Sequence, residues 1–344
     1  MIRIAIIGMG QRGQATLSRL RDIGTVQIVA TCDREKDWHE VVSRPDIDLV
    51  YICTPWELHV EMAVETMKQG KHVAIEVPAA MTVSECELLV RISRWTDRHC
   101  VMLENCCYDT WHLGIREMVQ QGLLGEVTHL EGAYIHTVNS DWMLQQRQQH
   151  QGNPYPTHGL GPMCQLLAPN DRLETLVSMS AYNKATGDHI NDTLLRTRFG
   201  VTMLLQYDTS TPRPYNRLQT VCGTKGFAQK YPLPTLQLQD TPDGPICLTG
   251  EEATRYVESH IPALFRQLID EGNERHVPNI MNYMMDRRLI DVLEQEVAGS
   301  HEEGEKRKVH LDMEVHEAAL WSSITELTER SASQGGATVL IPDF

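Results

Sequence analysis

The segment Ile2-Arg3-Ile4-Ala5-Ile6-Ile7-Gly8-Met9-Gly10-Gln11-Arg12-Gly13 decides the fold that the sequence predicts. Its first half is a short apolar run typical of a strand, and a helical pattern through Leu17 and Leu20 follows. In a Gly-x-Gly-x-x-Gly motif between strand and helix, the first glycine permits a tight turn and the second lets the backbone approach a pyrophosphate. The third glycine allows close packing of the helix on the strand. We therefore predict a dinucleotide site; the alternative is a glycine-rich turn in a sheet without nucleotide.

Further strands alternate with helices up to residue 103, as in a parallel sheet. The predicted strands span residues 26–31, 46–53, 71–76 and 101–103. Asp33 follows the second strand, 20 residues beyond Gly13, where an acid can accept hydrogen bonds from adenosine ribose hydroxyls. Ligands of open parallel sheets bind beyond the carboxyl ends of the strands. The polar, aromatic and glycine residues predicted at that edge are Gly8, Asp33, Trp56, Glu76, Glu104 and Asn105.

Composition excludes several classes of protein. A formal net charge of −15 argues against a nucleic-acid binder, and no apolar run approaches the ~20 residues of a membrane span. The nine cysteines are scattered and odd in number, which suggests reduced thiols and a cytoplasmic location, or a periplasmic or secreted one if a leader was removed. The sequence contains no His-Glu-x-x-His, so we predict no metal site.

The pattern changes after residue 108. Alternating strand-like runs follow with the spacing of an antiparallel sheet, at residues 127–136, 176–181, 192–197, 202–207, 217–221 and 226–231. Helical patterns return at residues 253–270, 282–296 and 313–328. We predict an NAD-binding Rossmann domain, a doubly wound parallel α/β sheet, over residues 1–108. An α+β domain with an open, largely antiparallel sheet would occupy residues 109–344 and bind substrate, and its C-terminal helices can return to the first domain.

A phenol and an imidazole stand three residues apart in Tyr155-Pro156-Thr157-His158-Gly159-Leu160-Gly161-Pro162. Pro156 restricts Tyr155 to an extended backbone, and Thr157 can act as N-cap of the turn or helix that carries His158. The residues alone leave two interpretations open, a pair that is merely packed or capped and a pair that acts on a substrate.

Glu76-Val77-Pro78 resembles the Glu-Lys-Pro motif of the glucose–fructose oxidoreductase/inositol dehydrogenase/MocA superfamily, with Val77 where a proton-carrying lysine is usual. Several longer segments resemble one branch, glycoside hydrolase family 109. These segments are Thr-Pro-Trp-Glu at 54–57, Glu-Val-Pro-Ala-Ala at 76–80, Glu-Asn-Cys-Cys-Tyr at 104–108, Gly-Ala-Tyr-Ile-His at 132–136, residues 155–162, Pro-Arg-Pro-Tyr at 212–215 and Gly-Thr-Lys-Gly-Phe-Ala-Gln-Lys-Tyr-Pro at 223–232. Weaker similarity continues at residues 286–290 and 318–322.

The resemblance implies an NAD-dependent glycosidase that acts on α-N-acetylgalactosaminides or a related hexosaminide or glycoside. The implied reaction is oxidation at C3 of the sugar, elimination of the C1 aglycone, addition of water and re-reduction. Two alternatives stay open: an NAD-dependent sugar oxidoreductase that releases a keto sugar, and an NAD-binding regulator with weak catalysis. The implied partners are a small carbohydrate or glycan and further copies of the chain, paired through the C-terminal sheet.

The resemblance also implies roles for single residues. His158 and Tyr155 would act on the C3 hydroxyl, and Tyr134 would be the base or relay at C2, unless it is only a tyrosine on a sheet face. Glu104 would bind sugar hydroxyls, unless it merely caps a turn. Tyr283, Arg213 and Arg147 are further candidate substrate contacts, and Arg213 can equally brace a loop. The cofactor-side candidates are Gly8, Gly10, Gln11, Arg12, Gly13, Asp33, Thr54, Trp56, His59, Glu76, Val77 and Asn105.

The sequence departs from the family pattern at two places. Trp142 is followed by Met143 instead of an arginine, and Arg147 is the nearest guanidinium. Residues 278–282 read Pro-Asn-Ile-Met-Asn where the family tends to have His-Gly-Gly-Met-Asp. The segments after Asp33 and after His136 are also shorter than usual. We expect NAD binding to survive these changes, whereas the sugar specificity depends on them.

Overall fold

The structure, a computed structural model, describes residues 1–33, 37–137, 148–185, 187–242, 244–299 and 310–344. The chain forms two compact units. The first unit contains Met1–Asn105, Leu264–Leu320 and Phe344, and the second contains Cys106–Ala263 and Trp321–Asp343. The assignment of an NAD-binding domain to residues 1–108 and a substrate domain to the remainder stays a prediction.

Strands and helices alternate in the N-terminal part, and strands dominate the middle of the chain. The strands are β1 Ile2–Ile7, β2 Val26–Cys32, β3 Leu49–Ile52, β4 His72–Ile75, β5 Cys100–Met102, β6 Val127–Ile135, β7 Leu173–Asn183, β8 Asp188–Thr197, β9 Thr202–Asp208, β10 Asn216–Gly223, β11 Gly226–Gln229, β12 Thr235–Leu238, β13 Ile246–Thr249 and β14 Val339–Leu340. The helices are α1 Gln11–Arg21, α2 Trp38–Val42, α3 His59–Lys68, α4 Val83–Thr96, α5 Thr110–Gln120, α6 Thr157–Cys164, α7 Gly250–Glu258, α8 Ala263–Glu274, α9 Ile280–Gly299 and α10 Val315–Ser333. Among the helices so described, none has the length and apolar content required to cross a bilayer.

The first unit contains a parallel sheet with strand order β2-β1-β3-β4-β5. Its central strands are continuous apolar runs because both faces are covered; all four residues of β3 are buried. Ile7 pairs with Cys32 and with Ile52, so the first three strands end level with one another. The predicted doubly wound α/β sheet is confirmed, and the residues that follow these strands share one edge.

Gly13 lets α1 pack closely on the turn that follows β1. A Cβ atom at Gly13 would lie 1.8 Å from the carbonyl oxygen of Gly8, which no side-chain adjustment relieves because that oxygen belongs to the backbone. Helix α9 completes this unit by packing against α1 and β1. The third glycine of the motif therefore has the packing role that its position predicts.

The second unit contains a nine-stranded sheet with order β13-β12-β11-β10-β6-β9-β8-β7-β14. Its neighbouring strands are antiparallel except for the parallel pair β6 and β9. Helix α6 packs on β6, β9 and β10. The predicted open, largely antiparallel sheet is confirmed, and it places the segment at residues 155–162 against the central strand.

Some local predictions are wrong. The helix predicted at 253–270 is two helices, α7 and α8, because Pro262 lies between them and supplies no backbone N–H. Thr157 is not the N-cap of α6: Pro156 holds that position without a side-chain hydrogen bond, and Thr157 is the first helical residue. The sequence prediction also missed α5 and the short strands β12, β13 and β14.

Candidate active site

The turn between β1 and α1 offers backbone N–H groups to an anion. Gly10 is the N-cap of α1 and has no side chain that could occupy the N–H groups of the first helical turn, which leaves the cap position open to an anion. A Cβ atom at Gly10 would meet no described atom within 4 Å, which leaves room for a phosphate to approach the backbone. Gln11 and Arg12 begin the helix, and both are exposed. These features fit the pyrophosphate of a dinucleotide.

The other cofactor-side candidates differ in exposure. Asp33 is exposed beyond the end of β2, whereas Trp56 is buried. His59 is fully buried, and its ring nitrogens lie 2.8 Å from the carbonyl oxygen of Pro78 and 3.0 Å from that of Thr54. Burial lowers the pKa of His59 despite these two contacts, so a neutral ring donates to only one carbonyl. His59 thus braces two loops that follow strands β3 and β4.

Glu76 lies directly after β4, largely buried, between two guanidinium groups. Its carboxylate oxygens are 3.6 Å from Arg12 Nε and 3.8 Å from an Nη of Arg19. Val77, next in the chain, is buried as well. Asn105 donates a hydrogen bond of 2.7 Å to the side-chain oxygen of Asn282 in α9. The first unit therefore brings Glu76 and Asn105 to the edge where the sequence predicted them, and Val77 follows Glu76 there.

The predicted substrate contacts have different surroundings. Glu104 is fully buried in the first unit. Tyr283 is also buried in that unit, and burial raises the pKa of its hydroxyl. Arg213 is exposed in the second unit, with Nη1 3.5 Å from the Asp208 carboxylate. Arg147, like Met143, lies outside the described residues.

Tyr134, Tyr155 and His158 form one aromatic cluster in the second unit. The ring centroids of Tyr134 and Tyr155 are 4.7 Å apart, and both rings meet the imidazole of His158 edge-on at 5.5 Å and 4.8 Å. The Tyr155 hydroxyl lies 3.5 Å from Nε2 of His158, at the upper limit of a hydrogen bond. The structure thus brings the three predicted catalytic side chains together.

Glycines explain how this cluster forms. A Cβ atom at Gly132 would lie 2.4 Å from the carbonyl oxygen of Gly159, and one at Gly159 would lie 2.7 Å from the backbone nitrogen of Ala133. Two residues without side chains therefore let the first turn of α6 touch β6, the strand that carries Tyr134. The loop before α6 is held by the buried Asn153, whose side-chain oxygen accepts a 3.0 Å hydrogen bond from the backbone N–H of Tyr155.

A buried ionic cluster lies beside these aromatic rings. The Asp109 carboxylate accepts 2.6 Å hydrogen bonds from Nη2 of Arg217 and from Nζ of Lys230. Burial alone would raise the pKa of Asp109, but the two cations outweigh it and lower the pKa to about 2. Arg217 lies 6.0 Å from the ring centroid of Tyr215, and Lys230 lies 5.7 Å from that of Tyr231. These two tyrosines contact each other with a centroid separation of 6.0 Å.

His136 connects the two clusters, with ring centroids 6.0 Å from Tyr134 and 5.4 Å from Tyr215. The sequence prediction assigned no role to His136, Tyr215 or the ionic cluster. A signal was present for part of this set, because His136, Tyr215 and Lys230 belong to segments that carry the family resemblance. Asp109 and Arg217 lie outside those segments, and their pairing joins positions 108 residues apart.

Comparison with known proteins agrees with this architecture. Residues 2–103 match the family described as "Oxidoreductase family, NAD-binding Rossmann fold", and residues 182–344 match "Glycosyl hydrolase 109, C-terminal domain". Solved structures with the same fold include an inositol dehydrogenase homolog from Azotobacter vinelandii, complexed with NADH and myo-inositol (TM-score 0.73, 18% identity, 98% of this chain and 97% of that chain covered). The WlbA dehydrogenase from Bordetella pertussis, in complex with NADH and UDP-GlcNAcA, has a TM-score of 0.76 at 14% identity and covers 99% of this chain and 98% of its own. The fold and site therefore define an NAD-binding protein of the oxidoreductase Rossmann class.

Curated relatives narrow this class. "Glycosyl hydrolase family 109 protein 2" of Phocaeicola vulgatus is 42% identical over an alignment of 405 positions with gaps, which covers 100% of this chain and 94% of the relative. "Alpha-N-acetylgalactosaminidase" of Bacteroides fragilis is also 42% identical, with 100% of this chain and 92% of the relative covered. The chain belongs to glycosyl hydrolase family 109. Membership confirms three predictions. These are the family, the enzyme class of glycoside hydrolase acting on a carbohydrate, and NAD as the cofactor.

Proposed function

We propose that the chain hydrolyses α-N-acetylgalactosaminides, or closely related hexosaminides, without net oxidation. The name of the Bacteroides fragilis relative, which aligns with the whole chain, supports this substrate class. The observation that carries the proposal is the contact between Tyr134, Tyr155 and His158, since it places three proton-handling groups side by side. A reaction that removes one proton from the C3 hydroxyl of the sugar and another from C2 requires such groups.

Bound NAD⁺ supplies a hydride acceptor that later returns the hydride, so the protein itself has to bind, orient and move protons. We assign the proton of the sugar C3 hydroxyl to His158, with the Tyr155 hydroxyl as its hydrogen-bond partner. A carbonyl at C3 acidifies the proton on C2, and Tyr134 accepts or relays that proton. The aglycone then leaves from C1 with the bonding electron pair, and water adds to the resulting double bond. This plan differs from the pair of carboxylates that most glycosidases use.

The remaining roles follow the same proposal. Glu104 binds sugar hydroxyls, and Arg213, Arg147 and Tyr283 are further substrate contacts. The cofactor contacts are Gly8, Gly10, Gln11, Arg12, Gly13, Asp33, Thr54, Trp56, His59, Glu76, Val77 and Asn105. Glu104 and Tyr283 are both buried, and Glu104 is the less accessible of the two.

The competing function is an oxidoreductase that releases a keto sugar. Val77 argues against an oxidoreductase, because this aliphatic residue occupies the position at which the dehydrogenase motif has its proton-carrying lysine. The experiment is incubation of the purified protein with p-nitrophenyl N-acetyl-α-galactosaminide and a panel of other glycosides. Nitrophenol release without net NADH is the expected result, whereas NADH that accumulates with free sugar supports the oxidoreductase.

Solvent deuterium gives a sharper test of the elimination route. Because the C2 proton is removed and replaced from solvent, the sugar product formed in D₂O carries deuterium at C2. Mass spectrometry and proton NMR of the product measure this incorporation. A product that retains hydrogen at C2 contradicts the route, even if the glycoside is hydrolysed.

We also propose that the chain forms a homo-oligomer through the second unit's sheet. Val177, Leu194 and Leu204 are paired neighbours on three adjacent strands and share one face of the sheet. Leu194 is 57% exposed and the nearby Met179 is 64% exposed, so this face presents an apolar patch. For the compartment we propose the cytoplasm, supported by nine cysteines that are all free thiols; fractionation of the native cells tests this.

A further inference from the structure

Five side chains of the first unit form a connected row that ends in the loop and helix of the glycine motif. Asp286 of α9 is fully buried and accepts hydrogen bonds from Arg19 Nε at 2.6 Å and from the Tyr51 hydroxyl at 3.0 Å. Arg19 Nη2 lies 3.8 Å from one oxygen of Glu76, and Arg12 Nε lies 3.6 Å from the other. The row therefore joins α9 to the start of α1 through Glu76.

Arg19 is the centre of this row. Burial acts to lower the pKa of its guanidinium, but the charges of Asp286 and Glu76 outweigh burial and raise the pKa. A buried cation is tolerated only when it is paired, and Asp286 and Glu76 supply the two negative charges beside Arg19. Arg19 Nη2 makes no hydrogen bond to the described part of the chain, so its contact with Glu76 is coulombic at the present separation.

We propose that Asp286 and Arg19 are positioning residues for NAD binding. Asp286 fixes the guanidinium of Arg19, and Arg19 fixes the carboxylate of Glu76, which accepts hydrogen bonds from the cofactor. The inference rests on the proposed role of Glu76 as a cofactor residue. It adds a residue of α9 to those that support cofactor binding, because Asp286 lies in that helix. Asp286 is 267 positions from Arg19 in the sequence.

The sheet order indicates which half of the cofactor is affected. Asp33 follows β2, on one side of β1, whereas Glu76 follows β4, on the other side. A dinucleotide lies across the point where the strand order reverses, with its adenosine ribose at the acid that follows β2. Glu76 then serves the nicotinamide half. Loss of its positioning should weaken binding of NAD⁺ and leave binding of ADP, which lacks that half, unchanged.

The test is calorimetric titration of NAD⁺ and of ADP into the full-length protein after bound nucleotide has been removed. The key variant is Arg19→Lys, which keeps the charge but replaces the planar fork by a point donor that cannot serve Asp286 and Glu76 together. We expect its Kd for NAD⁺ to rise about tenfold, as loss of a charged hydrogen bond predicts, and its Kd for ADP to stay the same. Asp286→Asn should give the same selective loss, and Tyr51→Phe a smaller one.

Asp291→Asn is the matched control for the change of charge. Asp291 lies on the same helix and pairs with Arg287 at 2.7 Å, so its loss alters the net charge of α9 as Asp286→Asn does. This control should bind NAD⁺ like the wild type. If Asp286→Asn does not fold, Arg19→Lys and Tyr51→Phe decide the question.

The variant Glu76→Gln tests the cofactor role of Glu76 separately from the positioning role of Arg19 and Asp286. A weaker NAD⁺ complex for Glu76→Gln together with wild-type binding by Arg19→Lys and Asp286→Asn would overturn the positioning role alone. Wild-type binding by all of these variants would overturn the role of Glu76 as well. Equal losses for NAD⁺ and ADP in Arg19→Lys, with a lower melting temperature, would show a merely structural ion pair and also overturn the inference.

Discussion

His158 is the residue on which the proposed reaction depends most. Its Nε2 atom has the Tyr155 hydroxyl 3.5 Å away, and both groups belong to the second unit rather than to the glycine motif. We therefore expect His158→Ala and Tyr155→Phe to retain bound NAD while turnover falls by about 10²–10⁴-fold, the usual contribution of a general acid–base group. Turnover is measured with the aryl glycoside, and retained cofactor by absorbance after gel filtration.

A second tyrosine–histidine pair supplies the control for these variants. Tyr182 and His189 of strands β7 and β8 have ring centroids 5.3 Å apart, similar to the separation in the proposed catalytic pair, but Tyr182 is exposed. Tyr182→Phe and His189→Ala should turn over substrate like the wild type. Loss of bound NAD in His158→Ala would instead assign that residue a structural role.

Asp109 couples stability to pH. Its pKa of about 2 in the folded protein is below the ~3.9 of an unfolded aspartate, because Arg217 and Lys230 outweigh burial. The resulting stabilisation, about 2–3 kcal/mol, is complete above about pH 4 and is lost as the pH falls towards 2. Asp109→Asn should lower the free energy of unfolding at pH 7 by about 3–5 kcal/mol, since Arg217 stays buried without its counter-ion.

Urea unfolding of both proteins between pH 7 and pH 2 measures this coupling. Asparagine is as good an N-cap as aspartate, so Asp109→Asn preserves the cap of α5. The difference in unfolding free energy between wild type and variant therefore measures the effect of the Asp109 charge. The difference between wild type and variant should shrink below about pH 4. A difference that is constant down to pH 3 and below would contradict the pairing.

At the scale of single residues, the sequence predicts which side chains lie together when they belong to one short segment. Tyr155 and His158 are three positions apart in one such segment. The ionic partners Asp109 and Arg217 come from α5 and β10, and no local pattern reveals that two buried charges far apart in the chain will meet. The same holds for Arg19 and Asp286, whose contact depends on how α9 packs against α1.

At the scale of elements, two glycines of the motif have different roles. Gly13 allows α1 to pack closely on the preceding turn, whereas Gly10 leaves room for a ligand beside the backbone. Gly13→Ala should destabilise the protein by about 1–3 kcal/mol or more, because its Cβ atom would lie 1.8 Å from the Gly8 oxygen. Gly10→Ala should nearly preserve the melting temperature, since a Cβ atom there meets no described atom within 4 Å, and yet weaken NAD⁺ binding by filling the space beside the backbone. Thermal unfolding and calorimetry test both expectations; equal melting temperatures for the two variants would contradict the packing role of Gly13.

Most strands of both sheets were predictable because apolar runs and alternation persist over several residues. Strand β14 has only two residues, Val339–Leu340, and gains its pairing from β7, so its own sequence carries no periodic signal. The order of the second sheet was equally hidden, because β6 and β9 are parallel neighbours separated by β7 and β8 in the chain. Such non-local pairing is decided by the fold as a whole.

At the scale of the whole molecule, the apolar sheet face makes the oligomeric state testable. A stable interface buries about 1,200–2,000 Å² in total, which a nine-stranded sheet can supply from one face. We expect the wild type to be an oligomer by light scattering and Leu194→Arg to shift it towards the monomer, because a long charged side chain would replace an apolar contact at the centre of the patch. Leu264→Arg, at a leucine of α8 that is 45% exposed in the first unit, should leave the mass unchanged. A monomeric wild type, or a Leu194→Arg variant with the wild-type mass, would contradict pairing through this face.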